Sequence, residues 1–419
     1  MAESDSIQTA ASSWRDSIRA DLRSLSSRSL RRRLRVISGV QAPVVRVEGF
    51  EAVHLAGNNY LGLADHPLVA ACAAEAVHRW GSGAGASPLI SGYMEPHEKL
   101  SKALARFKKK DASILFGSGF LANTGLISSL AGEGDAVFSD ALNHASIVDG
   151  CRLSRAKVHV FAHGDLNALE DGLRRARGAR QRLIAVDGVF SMDGDLAPLD
   201  EMASLADRHD ALLLVDEAHA TGILGPSGRG AAAHFGVQDR VGVSMGTLGK
   251  SLASYGAFAC SDTDVINYLV NHARSFIYST ALPPALVVSA GAALELASGE
   301  EGEKRRKCLA ALCRRFRAGL ERIGFEMPAL VSGAEVPIFP IVVGDARSAL
   351  ALADHMLTAG FLMLAIRPPT VPEGTSRLRA TLMATHTEGQ IDRALDALED
   401  GLKKLGVGPS QGGRSVGSG

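Results

Sequence analysis

The sequence predicts an α/β fold: a large domain with a mostly parallel sheet flanked by helices, plus a smaller C-terminal α/β domain. Three observations carry that reading. Between residues 113 and 216, short apolar runs alternate with stretches of helical period, the rhythm of repeated strand–helix–strand units. Three of these runs end in an acid (Asp140, Asp187 and Asp216), so their C-terminal edge gathers polar groups where open α/β sheets hold ligands. After residue 285 the rhythm changes to a long helical stretch followed by a second, shorter set of strands and helices. A chain of 419 residues also exceeds one typical core, so two domains plus arms are expected.

Taken in order, residues 1–48 form an N-terminal helical arm. Trp14, Ile18, Leu22 and Leu25 recur at helical spacing there and give one apolar face that would lie on the body. The basic run Arg31-Arg32-Arg33 with Arg35 is either a solvated helix end favoured by the macrodipole or a contact to an anionic substrate. The large domain spans 49–285. In it, Asn58-Asn59-Tyr60-Leu61-Gly62-Leu63 is a turn before a helix over 67–80, and Gly81 to Pro88 holds too much glycine for a helix or a central strand. His97 to Phe107 is amphipathic and helical. Ser113 to Phe116, then Gly117-Ser118-Gly119, then the residues from Phe120 read as strand, glycine turn and helix. Strands over 136–140, 158–161, 183–187 and 212–216 alternate with helices near 145–153, 166–177 and 199–208. The small domain spans 286–405, with a helical Lys304 to Arg317, strands over 336–343 and 376–382, and helices over 347–359 and 387–404. The Gly/Ser-rich tail 406–419 is expected to be disordered.

Composition narrows the function classes. Lys+Arg and Asp+Glu balance at 45 each, so no global field draws the chain to nucleic acid or to an anionic membrane. The five cysteines, Cys72, Cys151, Cys260, Cys308 and Cys313, are scattered without a CxxC pair. That pattern predicts reduced thiols in a cytoplasmic protein, with neither a disulfide frame nor a metal site. The longest apolar run, Ala285 to Ala297, falls short of the roughly 18 residues of a membrane span and reads as a packed helix. The Ser- and Arg-rich N-terminus looks superficially like a transit peptide, but Glu3, Asp5, Asp16 and Asp21 interrupt it.

The chemistry centres on Ser244-Met245-Gly246-Thr247-Leu248-Gly249-Lys250, which places a lysine on a Gly-rich turn after an apolar segment. Most lysines are solvated charges; one becomes a nucleophile when its amine can shed its proton. Asp216 changes the weighting, because Leu212-Leu213-Leu214-Val215 before it reads as a buried strand that delivers a carboxylate. Alone, such an Asp is more often a helix cap. Together, the two residues resemble the pyridinium-binding Asp and Schiff-base Lys that pyridoxal phosphate requires. On that reading His219 reaches the cofactor's phenolic oxygen, while Gly119 and Phe120 at a helix N-terminus, with Thr247, serve its phosphate. His144 either stacks on the ring or caps a turn. Arg379, between apolar residues in an expected strand, supplies a bidentate partner for an amino-acid carboxylate. Two nucleotide readings compete. Gly117 to Ala122 with Asp140 fits a relaxed dinucleotide fingerprint but leaves Asp216 and Lys250 unexplained. Gly246 to Ser251 ends like a Walker A motif, but Ser244 stands where that motif needs glycine.

Several segments in fixed order carry a family resemblance: Asn58 to Leu63, Ile90 to Tyr93, Gly188 to Asp195, Asp216 to Gly222, Thr247 to Lys250, Tyr278 to Pro284 and Ile366 to Pro372. With them, the chain resembles the α-oxoamine synthases over residues 28–402. The resemblance implies the fold-type I aminotransferase architecture, a homodimer with active sites at the interface, and pyridoxal phosphate. It also implies decarboxylative condensation of an amino acid with an acyl thioester of coenzyme A or of an acyl carrier protein. By the same resemblance Lys250 forms the Schiff base, Asp216 holds the ring nitrogen, His219 the phenolic oxygen, and His144 stacks on the ring. Gly119, Phe120, Ser191 and Thr247 contact the cofactor, Ser279 and Thr280 reach the neighbouring subunit's phosphate, and Asn58, Arg379, Thr370 and Arg31 face substrate. Within the family, Ser139 to Gly150 and Gly246 to Lys250 resemble members that condense glycine with acetyl-CoA. Tyr278 to Pro284 and Ala365 to Gly374 resemble members that condense L-alanine with a pimeloyl thioester, and they lie nearer the expected acyl-substrate region.

Overall fold

The computed structural model describes the backbone of residues 2–410 and the side chains of 13–410; Met1 and the distal tail, 411–419, lie outside the described residues. A small sheet comes first: β1 (Ile37–Ser38), β2 (Val44–Val47) and β3 (Phe50–His54), paired antiparallel. The β2–β3 turn falls at Glu48 and Gly49, where the sequence reading places the junction of arm and large domain. Both residues take positive φ (51° and 87°), the geometry of a two-residue hairpin turn.

The central sheet comprises β4 (Ala112–Phe116), β5 (Ala136–Asp140), β6 (Lys157–Phe161), β7 (Arg182–Asp187), β8 (Leu212–Asp216), β9 (Val243–Thr247) and β10 (Ala257–Ser261). These seven strands run in the order β4-β10-β9-β8-β7-β5-β6. Pairing is parallel from β9 through to β6, and only β10 runs antiparallel to its neighbours β4 and β9. Leu183 to Val186 and Leu213 to Val215 are buried, as continuous apolar strands covered by helices on both faces must be. The sequence reading did not predict β10. Its residues Ala257-Phe258-Ala259-Cys260 lack the β-branched side chains that mark a strand. It fixes β9 from the other side: Phe258 pairs with Gly246, and a Cβ at Gly246 would stand 2.5 Å from the Phe258 ring.

The helices Gly119–Leu130, Ala145–Ser154 and Leu166–Arg175 follow β4, β5 and β6. Each is started by a side chain that accepts a first-turn N–H: Ser118, His144 and Asp165. Downstream lie β11 (Ile338–Gly344), β12 (Phe361–Leu362), β13 (Leu364–Ile366) and β14 (Ser376–Thr381). β14 pairs antiparallel with β11 and β13, while β12 joins β3 in parallel, so N-terminal strands sit on the C-terminal part of the chain. One core runs unbroken from Phe138, Ile184 and Val215 through Phe316 of the helix Glu300–Ile323 to Phe339 and Leu378.

The arm begins with the helix Ala2–Ser27, as its periodicity predicts. Its apolar face does not lie on the body: Trp14 is 70% exposed, and Ile18, Leu22 and Leu25 are exposed as well. Near the other end, Val407 packs on the core and the Ser410 N–H donates to the Val342 carbonyl at 3.0 Å. Among the described residues, no helix is long and apolar enough to cross a membrane.

Candidate active site

Parallel register builds one wall of the site. Ser139 of β5 pairs with Ala185 of β7, and Asp187 of β7 with Asp216 of β8, so Asp140, Asp187 and Asp216 end neighbouring strands as buried carboxylates. Asp216 accepts from Asn123 Nδ2 at Oδ2 (2.7 Å) and from the Ala218 N–H at Oδ1 (2.8 Å). Asn123 Nδ2 also donates to Ser146 Oγ (2.9 Å), which lies 2.7 Å from His144 Nδ1. His144 accepts the Ser146 N–H, so it does cap its helix, and the residue stays partly open to solvent. Its own N–H donates to Asp187 Oδ2 at 2.6 Å. Burial and then the neighbouring Asp216 charge push the Asp187 carboxyl well above the usual range, despite that N–H.

The opposite wall is a hydrogen-bonded path between two cations. Lys250 Nζ lies 2.8 Å from His219 Nε2, and His219 Nδ1 lies 2.7 Å from the Tyr60 hydroxyl. Tyr60 donates to Asn58 Oδ1 at 3.0 Å, and Arg379 donates to the same oxygen from Nη1 and Nη2 at 3.3 Å. Arg379 Nε donates to the Ser191 carbonyl at 2.6 Å. Burial lowers the Lys250 amine to about 8, although Asp216 and Asp187 pull it upward; Arg379 pushes it further down. Burial, with Lys250 and Arg379 nearby, drives His219 well below its ordinary value, so its imidazole is neutral and can accept from the amine.

Strand alternation explains the arginines. Leu378 and Ala380 of β14 face the core, so Arg377 and Arg379 share the opposite face. Arg377 pairs with Asp193 and Arg379 holds Ser191, so the two clasp one turn, which the Val189–Leu196 bridge closes at its base.

A profile of the aminotransferase class I and II family matches residues 51–398. The chain belongs to that family. An 8-amino-7-oxononanoate synthase of Geobacter sulfurreducens is 50% identical over 391 residues, covering 93% of this chain and 99% of its own length. Among solved structures, a serine palmitoyltransferase with pyridoxal phosphate has a TM-score of 0.88 at 31% identity, covering 94% of this chain and 98% of that one. The 8-amino-7-oxononanoate synthase of Francisella tularensis has a TM-score of 0.71 at 28% identity, covering 84% and 98%. The architecture is the fold-type I aminotransferase fold that the motifs imply, and the α-oxoamine synthase resemblance holds along the chain.

The side chains of this aminotransferase-family fold suit pyridoxal phosphate. The Asp216 carboxylate accepts from Asn123 and the Ala218 N–H and has four lone-pair sites, so it can accept another from a ring N–H. Asn123 Oδ1, buried beside it, has no hydrogen-bond partner. Lys250 carries a partly neutral amine. The helix Gly119–Leu130 begins with N–H groups of Gly119 and Phe120 that have no intrahelical acceptor, which suits a phosphate. Thr247 Oγ1 donates to the Gly256 carbonyl (3.0 Å) and accepts the Gly249 N–H (3.2 Å), so it shapes the lysine's turn. Ser279 and Thr280 line a cavity with Gly117, Tyr93 and His97. Thr370 is exposed and its hydroxyl meets Arg32 at 3.2 Å, so the structure brings Arg32, and not Arg31, to that threonine. Sequence reasoning assigned no role to Tyr60, Asn123 or Ser146. Tyr60 stood inside a motif already singled out; the other two carry no signal before the helices are packed.

Proposed function

We propose that the chain condenses L-alanine with pimeloyl-CoA, or the pimeloyl carrier protein, to 8-amino-7-oxononanoate, releasing carbon dioxide and free CoA or carrier, in biotin biosynthesis. The broader class is a pyridoxal-phosphate-dependent transferase of the acyltransferase type, given by the family and by relatives at about half identity named 8-amino-7-oxononanoate synthase. The observation that carries the proposal is the single path from Lys250 through His219 and Tyr60 to Arg379, which ties a neutralisable amine to a carboxylate-binding fork.

When bound, pyridoxal phosphate supplies the sink for the electron pair left on the substrate α-carbon. Lys250 would anchor it, Asp216 would keep its ring nitrogen protonated, His219 would hold the phenolic oxygen and His144 the ring face. Gly119 and Phe120 would hold the phosphate, with Ser191 and Thr247 close by. Ser279 and Thr280 would serve the neighbouring subunit in a homodimer. Arg379, steadied by Asn58 and the Ser191 carbonyl, would orient the alanine carboxylate. The Lys250 amine, lowered to about 8, would take the α-proton of the substrate and later return one. Between those transfers the α-carbon would bond to the acyl carbonyl, the thiol would leave, and the carboxylate would depart as carbon dioxide.

Titration of the holoenzyme with alanine, glycine and serine, followed by absorbance, tests the amino-acid choice. Thiol release with pimeloyl-CoA against acetyl-CoA tests the acyl group. Faster turnover with glycine and acetyl-CoA than with alanine and pimeloyl-CoA refutes the proposal.

A further inference from the structure

Asp140 ends a strand of the site wall, yet it has no part in the site described so far. Neither has His163, which follows β6. The two meet: His163 Nδ1 lies 3.0 Å from Asp140 Oδ1, and His163 Nε2 lies 2.7 Å from Asp195 Oδ2. We propose that His163 is a positioning residue, a cation bridging Asp140 and Asp195 that fixes the Ser191–Gly194 turn and so sets Arg379 against the carboxylate of the amino-acid substrate. This rests on the reading of Arg379 as the carboxylate-binding arginine.

The two carboxylates are held unequally. Asp140 is anchored without the histidine, since Oδ1 accepts the Leu142 N–H at 2.8 Å and Oδ2 the Gly164 N–H at 2.9 Å. Asn143 ties the same loop to the Ala185 carbonyl at 2.8 Å. Asp195 lacks such support: its other oxygen, Oδ1, is buried with no hydrogen-bond partner. Order therefore passes from the sheet edge, through the ring, to the turn. Phe190, at the start of that turn, meets the imidazole edge-on with centroids 4.4 Å apart and holds its orientation. The turn then touches the arginine at the Ser191 carbonyl, 2.6 Å from Arg379 Nε. Burial works against a charge on His163, but hydrogen bonds and charge from Asp140 and Asp195 outweigh it and raise the group to about 10. Without the cation, two acids face each other as like charges, and the less anchored one must move.

The test compares His163→Gln, His163→Lys, Asp195→Asn and the double variant His163→Gln/Asp195→Asn. Three quantities are read: L-alanine affinity of the holoenzyme by absorbance titration without thioester, pyridoxal phosphate affinity of the cofactor-free protein, and thermal melting. In His163→Gln, loss of a charge-assisted bridge should weaken alanine about tenfold, while cofactor affinity changes less than about twofold. His163→Lys, which keeps a cation between the acids, should return alanine affinity to within about threefold of the parent, and adding Asp195→Asn to His163→Gln should recover part of the loss. Unchanged alanine affinity in His163→Gln, or equal loss for alanine and cofactor, overturns the proposal. If His163→Gln does not fold, Asp195→Asn must itself weaken alanine selectively, and failure to do so is equally decisive. Arg379→Lys separates the two readings. If it weakens alanine while His163→Gln does not, only the positioning role falls. If it leaves alanine affinity unchanged, the carboxylate assignment falls and the positioning role with it.

Discussion

The amine of Lys250 gives the most direct quantitative test of the site. A lysine with its ordinary value is neutral in about one molecule in three thousand at pH 7. Burial brings Lys250 to about 8, which makes about one in ten neutral, a gain of about 300-fold in the form that can attack an aldehyde. The capture of pyridoxal phosphate by the cofactor-free protein, followed by stopped-flow absorbance from pH 6 to 10, reads that fraction. Dividing by the rate for a simple lysine derivative, after correcting that rate for the derivative's own neutral fraction, removes the cofactor's own titrations. The normalised rate should climb through a midpoint near 8 and then level, and Lys250→Ala should capture none. Two substitutions should move the midpoint in opposite directions. Arg379→Gln removes a cation that lowers the amine, so the midpoint rises and the pH 7 rate falls; Asp216→Asn removes an anion that raises it, so the midpoint drops. A midpoint at 10 or above refutes burial as the source of reactivity, and one that ignores both substitutions refutes the tuning by these two charges.

Three further outcomes concern the scaffold. Lys108 and Glu217 form a buried ion pair, so Lys108→Met strands a carboxylate and should cost about 3–5 kcal/mol in chemical unfolding, part of which Glu217→Gln recovers. Gly194 has φ 74°, and a Cβ there would overlap the Ile338 carbonyl oxygen, so Gly194→Ala should destabilise by about 1–3 kcal/mol and weaken alanine binding. His163 is raised to about 10 in the folded protein from 6.5, so its stabilisation is complete below 6.5 and is lost as pH rises through 10. The melting deficit of His163→Gln relative to the parent should accordingly be largest at pH 6 and shrink toward pH 10.

Much of this was legible from residue pattern alone, for a physical reason. Strands buried on both faces must be apolar throughout, which exposes β5, β7 and β8 in the sequence and makes their terminal acids conspicuous. Lys250, Asp216, His219, Asn58, Arg379 and Ser191, chosen as site residues, do converge in the structure. What could not be read depends on partners far along the chain. β1 and β12 are two residues each and exist only through pairing with β2 and β3. Tyr60 acquires its role through His219, 159 positions away, and Asn123 through Asp216, 93 away. The exposed face of the N-terminal helix shows the converse limit: periodicity reports that a face is apolar, not what covers it.

The tetrad Asp216-Glu217-Ala218-His219 shows how the site can be rigid before any cofactor binds. Asp216 is tied toward Asn123 and the Ala218 N–H. Glu217 turns the other way, accepting from Lys108, from Ser244 Oγ (2.6 Å) and from the Ala232 N–H (2.8 Å). His219 is tied a third way, between Tyr60 and Lys250. Three side chains within four residues thus pull on the backbone in three directions, and its own N–H groups bond onward, Glu217 to the Met245 carbonyl at 2.7 Å. A flexible turn would let burial drive the Asp216 carboxylate toward solvent, because an unpaired buried charge is costly. The buried Lys108–Glu217 pair opposes that escape. Through Glu217, the residue after Asp216, it ties the turn to Ser244 of β9, the strand that leads into Lys250. The lysine and the aspartate are therefore held to each other through the scaffold, and the electrostatics that tune the amine depend on an ion pair that touches neither.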